Sequence, residues 1–153
     1  LACGLQIGKQ TVNAIYDWDN YSTYYHKDLL GANNNIIISS PVISGPKVYE
    51  LINLLKEKQM SGVQITIVTW APDSYRFGDA AYWMQLHEDM RQAGFYIKTV
   101  EESCERFAVI DQEVVWYGNI NLLAKDKVDD SIMRILSKEI ASELMEITFG
   151  DNG

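Results

Sequence analysis

The residues that could do chemistry lie in one short segment, from Cys104 to Asn121. Cys104, Arg106 and Asp111 follow at intervals of two and five residues, and the turn-forming sequence Gly118-Asn119-Ile120-Asn121 comes soon after. A guanidinium can place two donors on a phosphate, and asparagine amides can donate hydrogen bonds to an oxyanion. A thiol attacks phosphorus only when its pKa is lowered. The segment therefore indicates phosphate binding more strongly than phosphate chemistry.

This spacing resembles the signature of the phospholipase D superfamily. In that signature His, any residue, Lys, four residues and Asp precede a Gly-Ser-x-Asn turn. Cys104 stands at the histidine position, Arg106 at the lysine and Asp111 at the aspartate. Asn119 replaces the serine of the turn, and Asn121 matches its asparagine.

The resemblance extends beyond this segment. Ile38-Ser39-Ser40-Pro41 and the run from Gly62 to Thr69 look like the family's early strands, and Asp130 stands where the family often carries a glutamate. The likeness covers roughly residues 20–149. Its nearest form is the domain appended to some bacterial helicase-like proteins.

The resemblance implies a site and an assembly. In this family, histidines from two motifs supply the nucleophile and the acid for phosphodiester cleavage, and lysines help to hold the phosphate. One motif per chain therefore implies a homodimer, or a partner domain that completes the site. No metal and no cofactor are expected. The resemblance implies a catalytic role for Cys104, Arg106 and Asp111. It implies phosphate binding by Arg106, Asn119 and Asn121, and a supporting role for Gly118 and Asp130.

Because no histidine occupies the motif, we expect a non-catalytic module. It would bind a phosphate backbone or a partner within a nucleic-acid-processing, helicase-like protein. The alternative is an active phosphodiesterase or nuclease that uses Arg106 with an unconventional acid and nucleophile. A third interpretation is a receiver-like or nucleotide-binding α/β domain, with its site at the carboxyl ends of the strands. That interpretation would make the spacing of residues 104–123 a coincidence.

Several of these residues also have a purely structural interpretation. Cys104 suits a small, partly buried apolar position at a strand edge, and Asp111 favours a hairpin turn in its own right. His26 is followed directly by Lys and Asp, but three consecutive helical residues point in different directions and cannot converge. His87 is expected to be solvated or half-buried on its helix. The aromatic cluster of Trp18, Tyr21, Tyr24 and Tyr25 is expected to pack a first helix.

Apolar strand-like runs alternate with amphipathic helical stretches along the chain. Strands are predicted at 35–40, 63–69, 95–100, 106–110, 113–117 and 131–136, and helices at 19–30, 46–61, 79–93 and 138–149. Strand, helix and strand in sequence form parallel βαβ units. Together with the resemblance, this pattern predicts an α/β fold with a mixed, largely parallel sheet and helices on both faces. Residues 4–18 receive no assignment.

Length and composition set the remaining limits. The 153 residues suit one domain, and 47% hydrophobic residues exclude a disordered chain. With 13 basic and 21 acidic residues the net charge is −8, so nucleic acid or anionic lipid is repelled at long range and any phosphate must bind a local patch. No apolar run is long enough to cross a membrane. The two cysteines fit a reducing, cytoplasmic setting, and a start without Met suggests a fragment of a larger protein with flanking domains.

Overall fold

A single mixed sheet with four helices makes up the part of the chain that the computed structural model describes, residues 5–7, 10–74, 80–101, 104–124 and 130–150. The strands are β1 (Leu5–Ile7), β2 (Gln10–Asp17), β3 (Asn35–Ser39), β4 (Gln64–Trp70), β5 (Tyr96–Val100), β6 (Phe107–Ile110), β7 (Val114–Gly118) and β8 (Ser131–Leu136). The helices are α1 (Tyr21–Leu30), α2 (Gly45–Met60), α3 (Ala80–Gln92) and α4 (Lys138–Phe149). Cys3 and the predicted helix start at Asp79 lie outside the described residues.

The strand order across the sheet is β1-β2-β8-β7-β6-β3-β4-β5. Within the described residues, only β3 with β4 and β4 with β5 pair in parallel, and the other five pairings are antiparallel. The predicted mixed sheet is confirmed, but its parallel part is smaller than expected. Parallel neighbours need a crossover connection, usually a helix, and α2 and α3 provide these connections among the described residues. The β6–β7 hairpin and the β1–β2 pair, for which the sequence predicted no strands, are antiparallel.

Helices cover both faces of the sheet, as predicted, and strand alternation divides the core in two. Ile36 and Ile38 of β3 pack with residues of α1, α2 and α3 in the larger cluster. Ile37, which points the other way, packs with Ala141 and Leu144 of α4 in the smaller one. All three isoleucines are under 5% exposed, which explains why β3 has a continuous apolar run rather than an alternating one.

Helix boundaries follow the expected signals. Pro46 lies in the first turn of α2, and Gly62, with a φ of +106°, follows its end. The Ser137 side chain accepts a hydrogen bond of 3.0 Å from the Ile140 N–H and so caps α4.

An ion pair fastens α1 to the antiparallel half of the sheet. Asp28 of α1 accepts hydrogen bonds from Arg134 of β8, at 2.6 Å from Nε and 3.0 Å from Nη2. It also accepts one of 2.9 Å from the buried indole N–H of Trp116 on β7. Tyr21 and Tyr25, both 2% exposed, pack beside these groups, and the Tyr25 ring meets Trp116 edge-on at 5.6 Å. The aromatic cluster therefore packs the first helix, as expected.

The β6–β7 hairpin turns on two residues in the left-handed region, Asp111 at φ +55° and Gln112 at φ +57°. Glu113 N–H closes the turn on the Ile110 carbonyl at 3.1 Å, which is a type I′ arrangement. The Asp111 carboxylate leaves the turn and accepts hydrogen bonds from the backbone N–H groups of residues 33, 34 and 35, the shortest being 2.7 Å. Asp111 thus joins the hairpin to the start of β3.

We expect Asp111→Ala to lower the free energy of unfolding by about 3 kcal/mol. The change removes charge-assisted bonds worth about 1.5–3 kcal/mol and leaves alanine in a conformation that costs roughly 1 kcal/mol or more. Gln112→Gly is the matched change in the same turn, and it should stabilise by up to about 1 kcal/mol because glycine tolerates positive φ. Urea unfolding of both variants and of the parent chain measures these differences in the free energy of unfolding. Equal stability of Asp111→Ala and the parent chain would contradict the assignment.

Candidate functional site

All the predicted site residues except Asp111 lie at one end of the sheet, where β3 and β7 finish and β6 and β8 begin. The strand register places Ser39 beside Phe107, Phe107 beside Tyr117, and Gly118 beside Ile132. We call this the Arg106 end, because Arg106 directly precedes β6. Strand ends leave backbone and side-chain polar groups available for a ligand.

Arg106 is held by the turn that follows β7. Its Nε donates a hydrogen bond of 3.1 Å to Oδ1 of Asn121. Asn121 is 6% exposed, so its amide is a fixed acceptor rather than a mobile surface group. The two motif positions that could bind a phosphate, Arg106 and Asn121, are therefore brought together.

The two Nη atoms of Arg106 have no partner in the part of the chain that the structure describes. Among the described residues no acceptor binds either of its Nη atoms, and no carboxylate lies within 4.0 Å. The other two described arginines differ: Arg134 is paired with Asp28, and Arg91 lies 3.8 Å from Glu88. In a chain with a net charge of −8, an arginine with a fixed Nε and two open Nη donors is poised to fork onto an anion.

Two consecutive serines at the end of β3 support this arrangement. The Ser39 hydroxyl donates to the Glu105 carbonyl at 2.6 Å, which fixes the chain before Arg106. The Ser40 hydroxyl accepts a 3.2 Å bond from the Leu123 N–H and donates to the Val42 carbonyl at 2.7 Å, which fixes the turn that carries Asn121. Sequence reasoning missed both roles. The available signal was a pair of hydroxyl residues that ends a buried apolar strand.

Gly118 is required because β7 and β8 approach closely there. A Cβ at this position would lie 2.3 Å from the Ser131 carbonyl oxygen and 2.6 Å from Cα of Ile132. The next residue, Asn119, donates its backbone N–H to the same carbonyl at 2.9 Å. Its side chain is exposed and makes no hydrogen bond within the described residues. Gly118 thus supports the turn, while Asn119 is not bonded to Arg106.

Cys104 lies on the other side of the sheet from the Asn121 turn. It packs against the smaller core, beside Val68 and Val100, and its Sγ is 3.4 Å from the Ser39 hydroxyl. A spacing of two residues would place Cys104 and Arg106 on one face of a strand, but β6 begins only at Phe107, so strand alternation does not apply to them. Burial raises the pKa of the Cys104 thiol above its usual value, against the Ser39 hydrogen bond and the Arg106 charge, which lower it.

The family is established by a match that spans most of the chain. The family model described as "Cardiolipin synthase, PLD-like domain", where PLD denotes phospholipase D, matches residues 25–149. The chain belongs to this phospholipase D-like family. A sequence comparison with curated proteins found no match.

Solved structures share the fold of this phospholipase D-like chain. Nuc from Salmonella typhimurium, a phospholipase D family member, matches with a TM-score of 0.69 and 15% identity, over 90% of this chain and 91% of Nuc. NucT from Helicobacter pylori matches with a TM-score of 0.61 and 10% identity, over 88% of this chain and 91% of NucT. The archaeal chromatin protein TrmBL2, described as showing a novel mode of DNA binding, matches with a TM-score of 0.61 and 12% identity, over 88% of this chain and 49% of TrmBL2.

The two acidic motif positions occupy opposite ends of the phospholipase D-like sheet. Asp111 follows β6, about 16 Å from Arg106 at the rise of an extended strand, and its carboxylate is engaged by backbone N–H groups. It therefore lies away from Arg106. Asp130 directly precedes β8 and is partly exposed at the Arg106 end.

The Glu105 carboxylate is hydrogen-bonded to a tyrosine. The Tyr117 hydroxyl donates a hydrogen bond of 2.8 Å to Oε1 of Glu105. The pKa of Tyr117 is raised above its usual value, mainly by this hydrogen bond to Glu105 and secondly by burial. The hydroxyl therefore remains a donor at neutral pH. Motif spacing could not indicate this pair, because the two residues are 12 positions apart and meet only through the pairing of β6 with β7.

Neither histidine lies in the motif. His26 is a partly buried residue of α1, and His87 on α3 is 1% exposed. The expectation of a solvated or half-buried His87 is wrong: its side chain is as buried as those of Leu86 and Met90 on the same helix. Neither ring nitrogen of His87 has a hydrogen-bond partner among the described residues.

The described residues also limit other site types. Within the described ranges no three His, Cys, Asp or Glu side chains form a group that could hold a metal ion, and no helix is long and apolar enough to span a membrane. Two open cavities, of about 680 and 510 Å³, are lined by residues near Asp111 and near His87 respectively. Neither cavity is lined by Arg106 or Asn121.

The buried histidine predicts acid sensitivity. Burial, and then the Arg91 charge, lower the pKa of His87, so the unfolded chain takes up its proton first, near pH 6.5. The stability associated with neutral His87 is full above about pH 6.5 and is lost as the pH falls towards the lower folded pKa. His87→Leu should therefore reduce the fall in melting temperature between about pH 8 and pH 5.

His26→Leu is the matched control. Burial also lowers the pKa of His26, but the Glu50 charge opposes the shift and the ring is partly exposed, so we expect a smaller effect. An unchanged acid response of His87→Leu would show that this imidazole is protonated in the fold without penalty.

Proposed function

We propose that this phospholipase D-like chain is a non-catalytic module that binds the phosphodiester backbone of nucleic acid through Arg106. It would do so within a larger, helicase-like protein that processes nucleic acid. The observation that carries the proposal is the state of Arg106, whose Nε is fixed by Asn121 at 3.1 Å while both Nη atoms stay open among the described residues. A guanidinium so oriented matches two oxygens of one phosphate.

The net charge of the chain mildly disfavours nucleic acid as a ligand, so the proposal relies on local contacts. With a net charge of −8 the chain does not attract polyanions at long range, so binding relies on contact at the Arg106 end and on basic flanking domains. The similar fold of TrmBL2, whose description refers to DNA binding, supports the same ligand class. We expect weak, salt-sensitive binding by this chain alone.

The absence of catalysis follows from the groups at the motif. Cleavage of a phosphodiester needs a nucleophile for phosphorus and an acid for the leaving oxygen. Cys104 offers a thiol whose pKa is raised, so it is protonated at neutral pH and a poor nucleophile. Both histidines lie on helices, away from the motif.

The proposal includes an assembly and a setting. A one-motif chain of this family would form a homodimer that brings two Arg106 ends together, and sedimentation at increasing concentration tests it. The free thiol of Cys104 suits a reducing, cytoplasmic compartment. Residues 1–153 would form a single domain of the larger protein.

Binding tests the proposal directly. Fluorescence anisotropy with a labelled oligothymidylate of roughly 20 nucleotides, longer than typical single-strand sites, should show binding at low salt. Arg106→Ala should weaken it by about tenfold, since a charge-assisted fork contributes about 1.5–3 kcal/mol. The slope of log affinity against log salt should fall by about 0.7, the value for one phosphate contact on a single strand.

Arg91→Ala is the matched control, because it removes one positive charge from α3 far from the Arg106 end. Its affinity should stay within about twofold of the parent chain, as screened surface charges contribute little. If Arg91→Ala and Arg106→Ala weaken binding equally, Arg106 has no special role and the proposal fails.

Activity decides between this proposal and a working phosphodiesterase. We expect no metal-independent cleavage of single-stranded DNA or of bis(p-nitrophenyl) phosphate, and no change with Cys104→Ala. The double change Cys104→His with Arg106→Lys restores the family residues and asks whether the remaining site is intact. Turnover by the parent chain that disappears with Cys104→Ala would establish the phosphodiesterase instead.

A further inference from the structure

Tyr117 controls where the carboxylate closest in sequence to Arg106 points. Tyr117 pairs with Phe107 across the β6–β7 ladder and packs against the smaller core on the α4 side. Its hydroxyl holds Oε1 of Glu105 at 2.8 Å. Arg106 points to Asn121, whose neighbours Ile120 and Leu122 belong to the larger core on the opposite side. Two adjacent, oppositely charged residues are thus held on different sides of the sheet end.

Of Glu105, only the side chain is free to move towards Arg106. Its backbone carbonyl is fixed by the Ser39 hydroxyl at 2.6 Å, but its side chain is exposed and Tyr117 supplies its hydrogen bond. A flexible carboxylate next to an unpaired guanidinium forms an ion pair when nothing restrains it, even though the gain at a surface is small. Such a pair would occupy the Nη atoms that a phosphate needs.

We propose that Tyr117 is a positioning residue that keeps the Glu105 carboxylate off Arg106 and so keeps the guanidinium open to a phosphodiester. This inference rests on the proposed function of Arg106. The Tyr117 hydroxyl would then affect anion binding without contacting the anion. The affinity of Arg106 for a phosphate would depend on the hydrogen bond between Tyr117 and Glu105 on the other side of the sheet. A Glu105 released from Tyr117 would compete with the phosphate for the same donors.

The experiment is a double-mutant cycle on the whole chain, with the same labelled oligothymidylate at low salt. Tyr117→Phe should weaken binding by about two- to fivefold, the range of a competing surface ion pair. Glu105→Gln should bind at least as tightly as the parent chain. In the combined variant the effect of Tyr117→Phe should vanish, because no carboxylate remains to compete.

Matched control variants separate the proposed role of Tyr117 from the general effect of losing a hydroxyl or a negative charge. Tyr96→Phe removes a hydroxyl from an exposed residue of β5, and Glu143→Gln removes one negative charge from the exposed side of α4. The first should leave the affinity unchanged, and the second gives the non-specific effect of losing one charge, against which Glu105→Gln is compared. Thermal unfolding of each variant verifies that the fold is retained.

The outcomes are distinguishable. If Tyr117→Phe binds like Tyr96→Phe while Arg106→Ala still weakens binding, the inference is overturned and the proposed function stands. If Tyr117→Phe is weak and adding Glu105→Gln does not restore affinity, Tyr117 acts through folding, which also overturns it. If the parent chain fails to bind, or Arg106→Ala has no effect, the proposed function itself fails and the inference falls with it.

Discussion

The contact between the Asp111 carboxylate and the backbone at residues 33–35 is the constraint on which the rest of the sheet depends. It lies where the parallel strands β3–β5 meet the antiparallel strands β6–β8, and it sets the register that pairs Ile36 with Ile110. The same register, followed to the other end of these strands, puts Ser39 beside Phe107. Ser39 can then hold the Glu105 carbonyl, and Arg106 meets Asn121.

The two ends of β6 therefore have separate tasks. Asp111 stabilises a turn with two left-handed residues, and its charge is satisfied by N–H groups. Arg106, about 16 Å away by strand rise, is the end that can meet a ligand. Because the Asp111 contact does not involve Cys104, the residue type at position 104 can change without breaking this contact.

Much of the fold could be predicted from sequence because its signals are local. The apolar run of β3, the proline and glycine around α2, and the Asp-Gln turn each depend on neighbouring residues. The failures involve contacts between distant segments. The ion pair of Asp28 with Arg134 joins residues 106 positions apart, and no periodicity indicates it. The burial of His87 depends on which side of α3 meets the sheet, and the β1–β2 hairpin includes a strand of only three residues.

The candidate site was predictable in its residues but not in its geometry. Motif spacing singled out Arg106 and Asn121, yet it could not show that the chain leaves strand geometry before Phe107 and carries Cys104 to the other side. Nor could the net charge of −8 show which groups the individual carboxylates contact. Asp28 pairs with Arg134, Asp111 binds backbone N–H groups, and Glu105 is held by Tyr117. Since these three carboxylates are engaged elsewhere, an acidic chain can still leave a guanidinium open among the residues that the structure describes, and surface charges more than a Debye length from Arg106 are largely screened.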